Sequence, residues 1–452
     1  MTCGRTNAGR DQTVLRNQAV LWDESISRDK SVSRDKSVPR GDSVPRDKIV
    51  VRGLRKYFPV GGTLLDRILG TQPLVKAVDG VGFTIRDGEV FGLLGESGSG
   101  KTTVGRVVLG LEPATDGEVL YEGRPITSGL PRSLRRSLQI IFQDPHASLN
   151  PAMTIFQGIE HGLLIHSSLN RAERRERVYA IMEKVGLVPP EVLAHAYPSG
   201  LSGGQRQRAV IARAMILGPD FVVADEPVSM LDMSIRARIL KLLLDLKDEF
   251  GLTYLFITHD LATAKLICSH VGVMYLGQLV EVGPARAIFE EPLHPYTRAL
   301  IQAVPVPDPA RARDKALPHG EIPDGIRPPS GCRFHPRCPE PMPECGWEPR
   351  DLQDLIDRRL LELAEAQGRT GPAGFDVRMV EDEANHSLMV ANKPALLRLI
   401  DAERDRETPL GRAIESVEVG QRSVKVRFRK PVPIPDVSIG DRTVRCLRVA
   451  RD

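Results

Sequence analysis

The chain has 452 residues, of which 41% are hydrophobic and 27% are charged, as in an ordinary soluble globular protein with room for two or three compact units. Its formal net charge of +4 is small for this length and does not favour a nucleic-acid-binding protein. No run of about eighteen apolar residues indicates a membrane-spanning helix, and no apolar segment near the start indicates a secretory signal.

The start of the chain is a charged repeat. Residues 25–48 read SISRDKSVSRDKSVPRGDSVPRDK, which is a six-residue unit in four copies, balanced in charge and punctuated by proline. Such a segment has too few large apolar side chains to bury a core. We therefore predict that residues 1–47 form a disordered tail.

Residues 48–303 have the pattern of a folded α/β domain. IVVRGLRKYF predicts a strand, and VKAVDGVGFTIRDGEVFGLLG predicts a hairpin-like strand pair followed by a buried strand. KTTVGRVVLGL and SIRARILKLLLDLKDEF predict helices, while PDFVVADEP and LTYLFITHD contain predicted buried strands. Buried strands alternating with helices indicate a mainly parallel sheet, into which residues 144–213 are predicted to insert a helical segment.

The amino-acid composition changes after residue 303. Residues 304–350 are rich in proline and predict a loop that its cysteines could pin. In residues 351–452, one amphipathic helix is predicted near 394–403, and alternating Val424, Val426 and Phe428 predict a half-buried strand. We predict a small appended subdomain there and assign it no function.

GESGSGKT, Gly95–Thr102, has the spacing of a P-loop and lies between a predicted strand and a predicted helix. Its backbone N–H groups can close around phosphates, and the helix N-terminus favours an anion. Lys101 supplies a positive charge to the β- and γ-phosphate oxygens, and the Thr102 hydroxyl can complete a Mg²⁺ shell.

A P-loop needs a second metal ligand and a group that activates water. Asp225 and Glu226 follow the predicted strand FVVA, where Asp225 can hold Mg²⁺ through water and Glu226 can accept the water's proton. His259 ends the next predicted strand and could hydrogen-bond the γ-phosphate. Each signal is weak alone, because strand ends often carry charges and a lone histidine is more often structural.

Together these motifs resemble those of the nucleotide-binding subunit of an ATP-binding cassette (ABC) transporter. LSGGQ is similar to the family's signature, GESGSGKT to its Walker A motif and VVADE to its Walker B motif. Gln143 matches the Q-loop, Asp232 in SMLD the D-loop and His259 the switch histidine. The resemblance spans about residues 48–303 and implies a P-loop NTPase fold, with a RecA-like α/β core, an antiparallel β edge and a helical subdomain.

The resemblance also implies ligands and roles. ATP and Mg²⁺ are the expected ligands, Glu226, His259 and Gln143 the expected catalytic residues, and Thr102, Gln143 and Asp225 the expected metal ligands. Phe58 matches an aromatic that stacks on adenine, with Tyr57 as the alternative. Two subunits of the family pair head to tail, so the signature should contact the ATP held by the partner. The expected ATP-binding residues are Gly95, Glu96, Ser97, Gly98, Ser99, Gly100, Lys101, Thr102 and Thr103, and the signature residues are Leu201, Ser202, Gly203, Gly204 and Gln205.

Three further stretches, FQDPHASLNPAMTI, EEPLHPYTRALIQAVP and GCRFHPRCPEPMPEC, resemble the ATPases of dipeptide and oligopeptide importers, and the P-loop resembles the second of their two ATPases. The implied partners are a sister ABC ATPase in a heterodimer or homodimer, two transmembrane permeases and an extracytoplasmic substrate-binding protein, without nucleic acid. The implied location is peripheral, at the cytoplasmic face of the inner (plasma) membrane. The substrate would be short peptides, or nickel or another small solute as in some relatives.

The alternative is a soluble ABC ATPase without permeases, such as the ATPase of a phosphonate carbon–phosphorus lyase assembly. Those ATPases resemble this branch but end near the HPYT stretch. The proline- and cysteine-rich tail therefore favours the importer.

Six cysteines in a chain of this length indicate a reduced cytosolic protein rather than a disulfide scaffold. Cys332, Cys338 and Cys345 match a tail that in some relatives holds an iron–sulfur cluster, which takes four thiolates. The relatives' fourth cysteine follows a downstream histidine, but no cysteine follows His386 until Cys446, sixty residues later. With the fourth ligand not found, a metal-free loop is the favoured expectation and a cluster the alternative.

Overall fold

The computed structural model describes residues 46–61, 72–126, 130–303, 321–366, 377–380, 387–390, 393–421 and 423–451. Most of the predicted tail and His386 lie outside these described residues. The strands are β1 (Asp47–Pro59), β2 (Leu74–Arg86), β3 (Val90–Leu94), β4 (Asp116–Tyr121), β5 (Arg124–Pro125), β6 (Leu138–Ile141), β7 (Phe221–Asp225), β8 (Thr253–Thr258), β9 (His270–Tyr275), β10 (Gln278–Pro284), β11 (Val377–Val380), β12 (Ser387–Val390), β13 (Ile414–Val419), β14 (Ser423–Phe428), β15 (Asp436–Ile439) and β16 (Arg442–Arg445).

The α-helices fall between these strands. Two short 3₁₀ turns, Pro198–Gly200 and His335–Arg337, also occur. The helices are α1 (Lys101–Val108), α2 (Arg132–Ser137), α3 (Pro145–Ser148), α4 (Ile155–His166), α5 (Arg171–Lys184), α6 (Pro190–Leu193), α7 (Gly203–Met215), α8 (Met233–Phe250), α9 (Leu261–Ile267), α10 (Ala285–Glu290), α11 (Pro295–Ala303), α12 (Pro349–Ala366), α13 (Lys393–Asp405) and α14 (Pro409–Ala413).

An eight-stranded sheet, ordered β15-β16-β10-β9-β3-β8-β7-β6, carries the central fold. Strands β9, β3, β8, β7 and β6 pair in parallel, and β3, β7 and β8 are buried along their whole length. This arrangement confirms the predicted α/β core. Because parallel strands end at one edge of a sheet, the segments after β3, β6, β7 and β8 meet there.

A second, antiparallel sheet, ordered β2-β1-β4-β5, forms the predicted β edge. The predicted hairpin is wrong: its residues form the single long strand β2, which pairs with β1 from Asp47–Arg86 to Pro59–Leu74. Gly80, at a φ of 75°, lies within that strand. The long partner β1 pairs with β2 along most of its length, with register shifts at four points, and this pairing replaces the one that a local hairpin would have made.

Between β6 and β7 the chain is helical, from α3 to α7. The three longest of these helices each begin with a capping box, in which a side chain and the backbone three residues on bond reciprocally. The capping residues are Thr154, Asn170 and Ser202. Polar residues that would be poor inside a helix thus mark where each helix of this segment starts.

The last hundred residues contribute to two different parts of the fold. The predicted amphipathic helix is α13 and the predicted half-buried strand is β14, and both contribute to a separate apolar cluster. The hairpin β15–β16, in contrast, joins the central sheet, where Val444 pairs with Glu281 of β10. A strand on the open edge of β10 satisfies backbone groups that would otherwise face solvent. The separate cluster contains Leu352, Ile356, Leu396, Ile400, Leu410, Ile414, Val424 and Val426.

Candidate active site

The P-loop runs from the end of β3 to the start of α1. Gly95 and Gly100 have φ values of 146° and 100°, where a Cβ would lie 2.2 Å from the Met274 carbonyl oxygen and 2.0 Å from that of Ala77. Only glycine fits two such positions. Ser97 and Gly98 are exposed, Ser99 is buried and Thr103 is half-buried on α1.

The Lys101 ammonium lies inside this loop. It donates to the carbonyl oxygens of Gly95 at 2.9 Å and Glu96 at 2.8 Å, and to Ser99 Oγ at 3.3 Å. The side chain is buried, and that burial lowers the pKa of Lys101. A phosphate in the loop would therefore meet a cation that is already desolvated and positioned.

Thr102 and Asp225 form a pair of oxygen ligands beside the loop. Thr102 Oγ1 donates to Asp225 Oδ1 at 3.1 Å, and burial raises the pKa of Asp225. A hydroxyl and a carboxylate next to a phosphate site fit Mg²⁺, which binds few protein oxygens and keeps its other ligands as water and phosphate.

Glu226 lies at the centre of a three-residue network. One carboxylate oxygen is 2.9 Å from His259 Nδ1, and the other accepts a hydrogen bond from Gln143 Nε2 at 3.0 Å. Its φ of 46° is uncommon for a residue other than glycine, and such backbone strain clusters at functional sites. The three residues predicted to be catalytic come from the ends of three neighbouring strands and meet.

A cleft of about 400 Å³ joins the P-loop to this network. Its volume lies within the range of small-molecule sites, about 300–1,000 Å³. Leu261 and Leu300, which the sequence had not singled out, supply an apolar wall. The lining residues are Gly95, Glu96, Ser97, Gln143, Glu226, His259, Leu261 and Leu300.

The signature starts helix α7 and is not part of that lining within the described residues. Ser202 caps the helix, with its N–H donating to Gln205 Oε1 at 2.9 Å and its Oγ accepting from the Gln205 N–H at 3.3 Å. Leu201 and Gly204 are buried, and Gly203 is half-buried. Contact with a partner's nucleotide stays a prediction.

Asp232 and Phe58 have structural contacts of their own. Asp232 caps α8 by accepting from the N–H groups of Ser234 and Ile235, which hold its pKa below the usual range. Phe58 is half-buried on β1, with Lys56 Nζ 4.8 Å from its ring centroid. The Tyr57 hydroxyl donates to Asp79 at 2.6 Å. Adenine stacking on Phe58 stays a prediction.

Two residues from the C-terminal part of the chain, by which we mean the residues that follow α10, contact the P-loop. Sequence reasoning did not predict these contacts. The Tyr296 hydroxyl accepts from the Glu96 N–H at 3.0 Å, and Arg337 donates to the Glu96 carboxylate at 2.9 and 3.3 Å. Both lie in the HPYT and FHPRC stretches, which had served only as markers of a branch. Buried Glu281 holds the first stretch by accepting from the N–H groups of Leu293 and His294, each at 3.0 Å.

Cys446, which the sequence left in doubt as a fourth ligand, lines the same small pocket as Cys332, Cys338 and Cys345. All four thiols are free, and burial raises the pKa of Cys338 to about 12 and also raises that of Cys332. Within the described residues, no group of three or more His, Cys, Asp or Glu side chains is arranged to hold a metal ion. One of these sulfurs accepts a backbone hydrogen bond, which the Met342 N–H donates to Cys345 Sγ at 3.3 Å.

The chain was compared with known proteins. The family model "ABC transporter" matches residues 78–229, and "Oligopeptide/dipeptide transporter, C-terminal region" matches residues 280–345. The chain is 48% identical to "Putative oligopeptide transport ATP-binding protein YkfD" of Bacillus subtilis (strain 168), over 65% of this chain and 90% of that protein. It is 45% identical to "Dipeptide transport ATP-binding protein DppF" of Haemophilus influenzae, over 68% of this chain and 94% of that protein.

Among solved structures, the ATP-binding cassette MJ0796 bound to ADP and Pi is similar over 53% of this chain and 99% of its own, at 28% identity and a TM-score of 0.46. A search for membrane spans found none: each helix in the described part of the chain is too short or too polar to cross a bilayer.

Proposed function

Because this chain belongs to the ATP-binding subunits of ABC transporters for oligopeptides and dipeptides, we propose that its cleft hydrolyses ATP to drive peptide import. The chain is an ATPase of this family, and it acts with membrane permeases. The observation that carries the proposal is the Gln143–Glu226–His259 network facing the P-loop across one cleft.

The residues divide the work of hydrolysis. Lys101 and the loop amides would bind the β- and γ-phosphates, while Thr102, and Asp225 through water, would hold Mg²⁺, which would neutralise charge on those phosphates. Glu226 accepts the proton of the attacking water. Gln143 and His259 hold the two oxygens of that carboxylate, so that its orientation is fixed before water arrives.

The signature supports a second ATPase as partner. It lies outside the lining of its own cleft, at the N-terminus of the 13-residue helix α7, which can bind an anion. We propose that it completes the ATP site of a sister or identical subunit. On the basis of the same family membership, we propose that the assembly includes a substrate-binding protein and that this chain lies at the inner face of the membrane. The carbon–phosphorus lyase alternative is not favoured, because residues 280–345 match the C-terminal region of oligopeptide and dipeptide transporters.

Co-purification tests the assembly. The tagged chain, extracted gently with detergent, is expected to bring down two multi-span permeases and a second ABC ATPase, identified by mass spectrometry. Membranes extracted from cells with an untagged chain serve as the control. Recovery of soluble proteins alone would contradict the importer and support a soluble ABC assembly.

We propose further that Cys332, Cys338, Cys345 and Cys446 form the ligand set of an iron–sulfur cluster. This ligand set is supported by the pocket that the four cysteines share, by their free thiols and by the Met342 N–H that donates to Cys345 Sγ. When bound, iron would displace the thiol protons and tie the segment after β16 to the Cys332–Cys345 turn.

Metal content tests this ligand set. Protein purified without oxygen is expected to contain iron and acid-labile sulfide and to show a broad visible absorption, which Cys446→Ser loses. Cys268→Ser is the matched control, since this other buried cysteine lies outside the pocket lining. Wild-type protein without iron, zinc without sulfide, or full iron in the Cys446 variant would each refute the cluster.

A further inference from the structure

Glu96 is an acidic residue within a loop that binds anions. Its side chain is 25% exposed and lines the cleft near Lys101. The negative charge of Glu96 acts to raise the pKa of Lys101, against the larger effect of burial. A carboxylate this close to the triphosphate would repel it, and partial burial strengthens such repulsion. Binding of a triphosphate in this loop therefore requires a positively charged group that neutralises Glu96.

Arg337 is placed to cancel it. Its two terminal nitrogens donate to the two Glu96 oxygens at 2.9 and 3.3 Å, which is the paired geometry that arginine makes with carboxylates. The Arg337 side chain is only 10% exposed, and one nitrogen also lies 3.4 Å from the Tyr275 hydroxyl. A pair this shielded from solvent is weakly screened by salt.

The turn that carries Arg337 is anchored to the cassette at a second point. Arg333 donates to the Asp79 carboxylate and to the Leu276 carbonyl oxygen, and its side chain is buried. The Glu96 N–H is bonded to Tyr296, and the Glu96 carbonyl oxygen accepts from Lys101. Glu96 is thus held at its amide, its carbonyl and its carboxylate, and two of the three contacts come from the C-terminal part.

We propose that Arg337 is a positioning residue of the ATP site, which neutralises Glu96 and thereby makes the affinity for ATP depend on the C-terminal region. This inference rests on the proposed ATPase function and extends it to a residue 241 positions along the chain from the loop. The contact requires no contribution from a partner subunit.

The test is a titration of the purified full-length chain with Mg²⁺ and a non-hydrolysable ATP analogue. Arg337→Ala is expected to weaken binding about tenfold, equivalent to about 1.4 kcal/mol, because an unpaired carboxylate then faces the phosphates. Adding Glu96→Gln to that variant is expected to restore most of the affinity. Arg337→Lys should lie between, since it keeps the charge but loses the paired bonds.

Arg350→Ala is the matched control. Arg350 belongs to the same C-terminal region and pairs with Glu348 at 2.9 Å, outside the lining of the ATP cleft. Its loss should leave nucleotide affinity unchanged. Arg337→Gln and its combination with Glu96→Gln are measured in parallel, so that the charge is tested in a second pair if Arg337→Ala does not fold.

Rescue by Glu96→Gln separates the proposal from a merely structural role of Arg337, because removing the Glu96 charge would not repair a structural defect. Affinity equal to wild type in the Arg337 variants, or no recovery in the double variants, would overturn the inference. Wild-type protein that binds no nucleotide would instead overturn the proposed function itself.

Discussion

Glu226→Gln is expected to lower ATP turnover by a factor of about 10²–10⁴, the contribution typical of a general base, while ATP binding is retained. The amide has nearly the same shape as the carboxylate and keeps an oxygen that can accept from Gln143 Nε2. It cannot take a proton from water. Steady-state phosphate release and nucleotide titration, run on the same preparation, measure the two effects separately.

Glu290→Gln is the control for this prediction, because Glu290 is an exposed residue of α10 that pairs only with Arg286 among the contacts described. It should hydrolyse ATP like the wild type. Normal turnover in Glu226→Gln would remove Glu226 as the base and leave His259 as the candidate. An equal loss of ATP binding would show that Glu226 shapes the cleft rather than transferring a proton.

Lys101→Ala is expected to weaken ATP binding about 100-fold, because it removes a charged donor worth about 3 kcal/mol to the phosphates. Turnover should fall further, since the same charge faces the γ-phosphate as negative charge builds in the transition state. The ammonium is already desolvated and held by the Gly95 and Glu96 carbonyl oxygens, so wild type pays little to position it. Nucleotide titration with Mg²⁺ measures the loss.

Lys241→Ala, at an exposed position of α8, is the control and should bind ATP normally. The contrast with Glu226→Gln is diagnostic: both variants lose turnover, but only Lys101→Ala loses the nucleotide. Unchanged affinity in Lys101→Ala would mean that the loop amides alone hold the phosphates.

The C-terminal part does more than mark a branch of the family. Tyr296 and Arg337 contact Glu96 in the P-loop, and β16 extends the central sheet beside β10. In our proposal, nucleotide affinity depends on contacts from residues after 290, which lie within the region that matches the family model for oligopeptide and dipeptide transporters. That region would then have a physical role in the ATPase.

Features whose chemistry is local can be predicted from short stretches of the sequence. The glycine spacing of the P-loop, the buried strands β3, β7 and β8 and the carboxylates after β7 follow from short patterns, because backbone freedom, apolar runs and strand ends act over a few residues. The proximity of Gln143, Glu226 and His259 can also be predicted, since parallel strands end at one edge of the sheet.

Contacts between distant segments, in contrast, become visible once the chain is folded. A charged arginine or a cysteine carries no mark of its partner, so Arg337 beside Glu96 and Cys446 beside Cys332 could not be read from spacing. Likewise, the pattern of an alternating strand such as β16 does not specify which open sheet edge it joins. The residues of β2 could form a local hairpin or one long strand, and the fold selects the long strand because β1 offers an edge of matching length. Which edges pair is a property of the whole fold, because the free energy of each pairing depends on the elements that pack beside it.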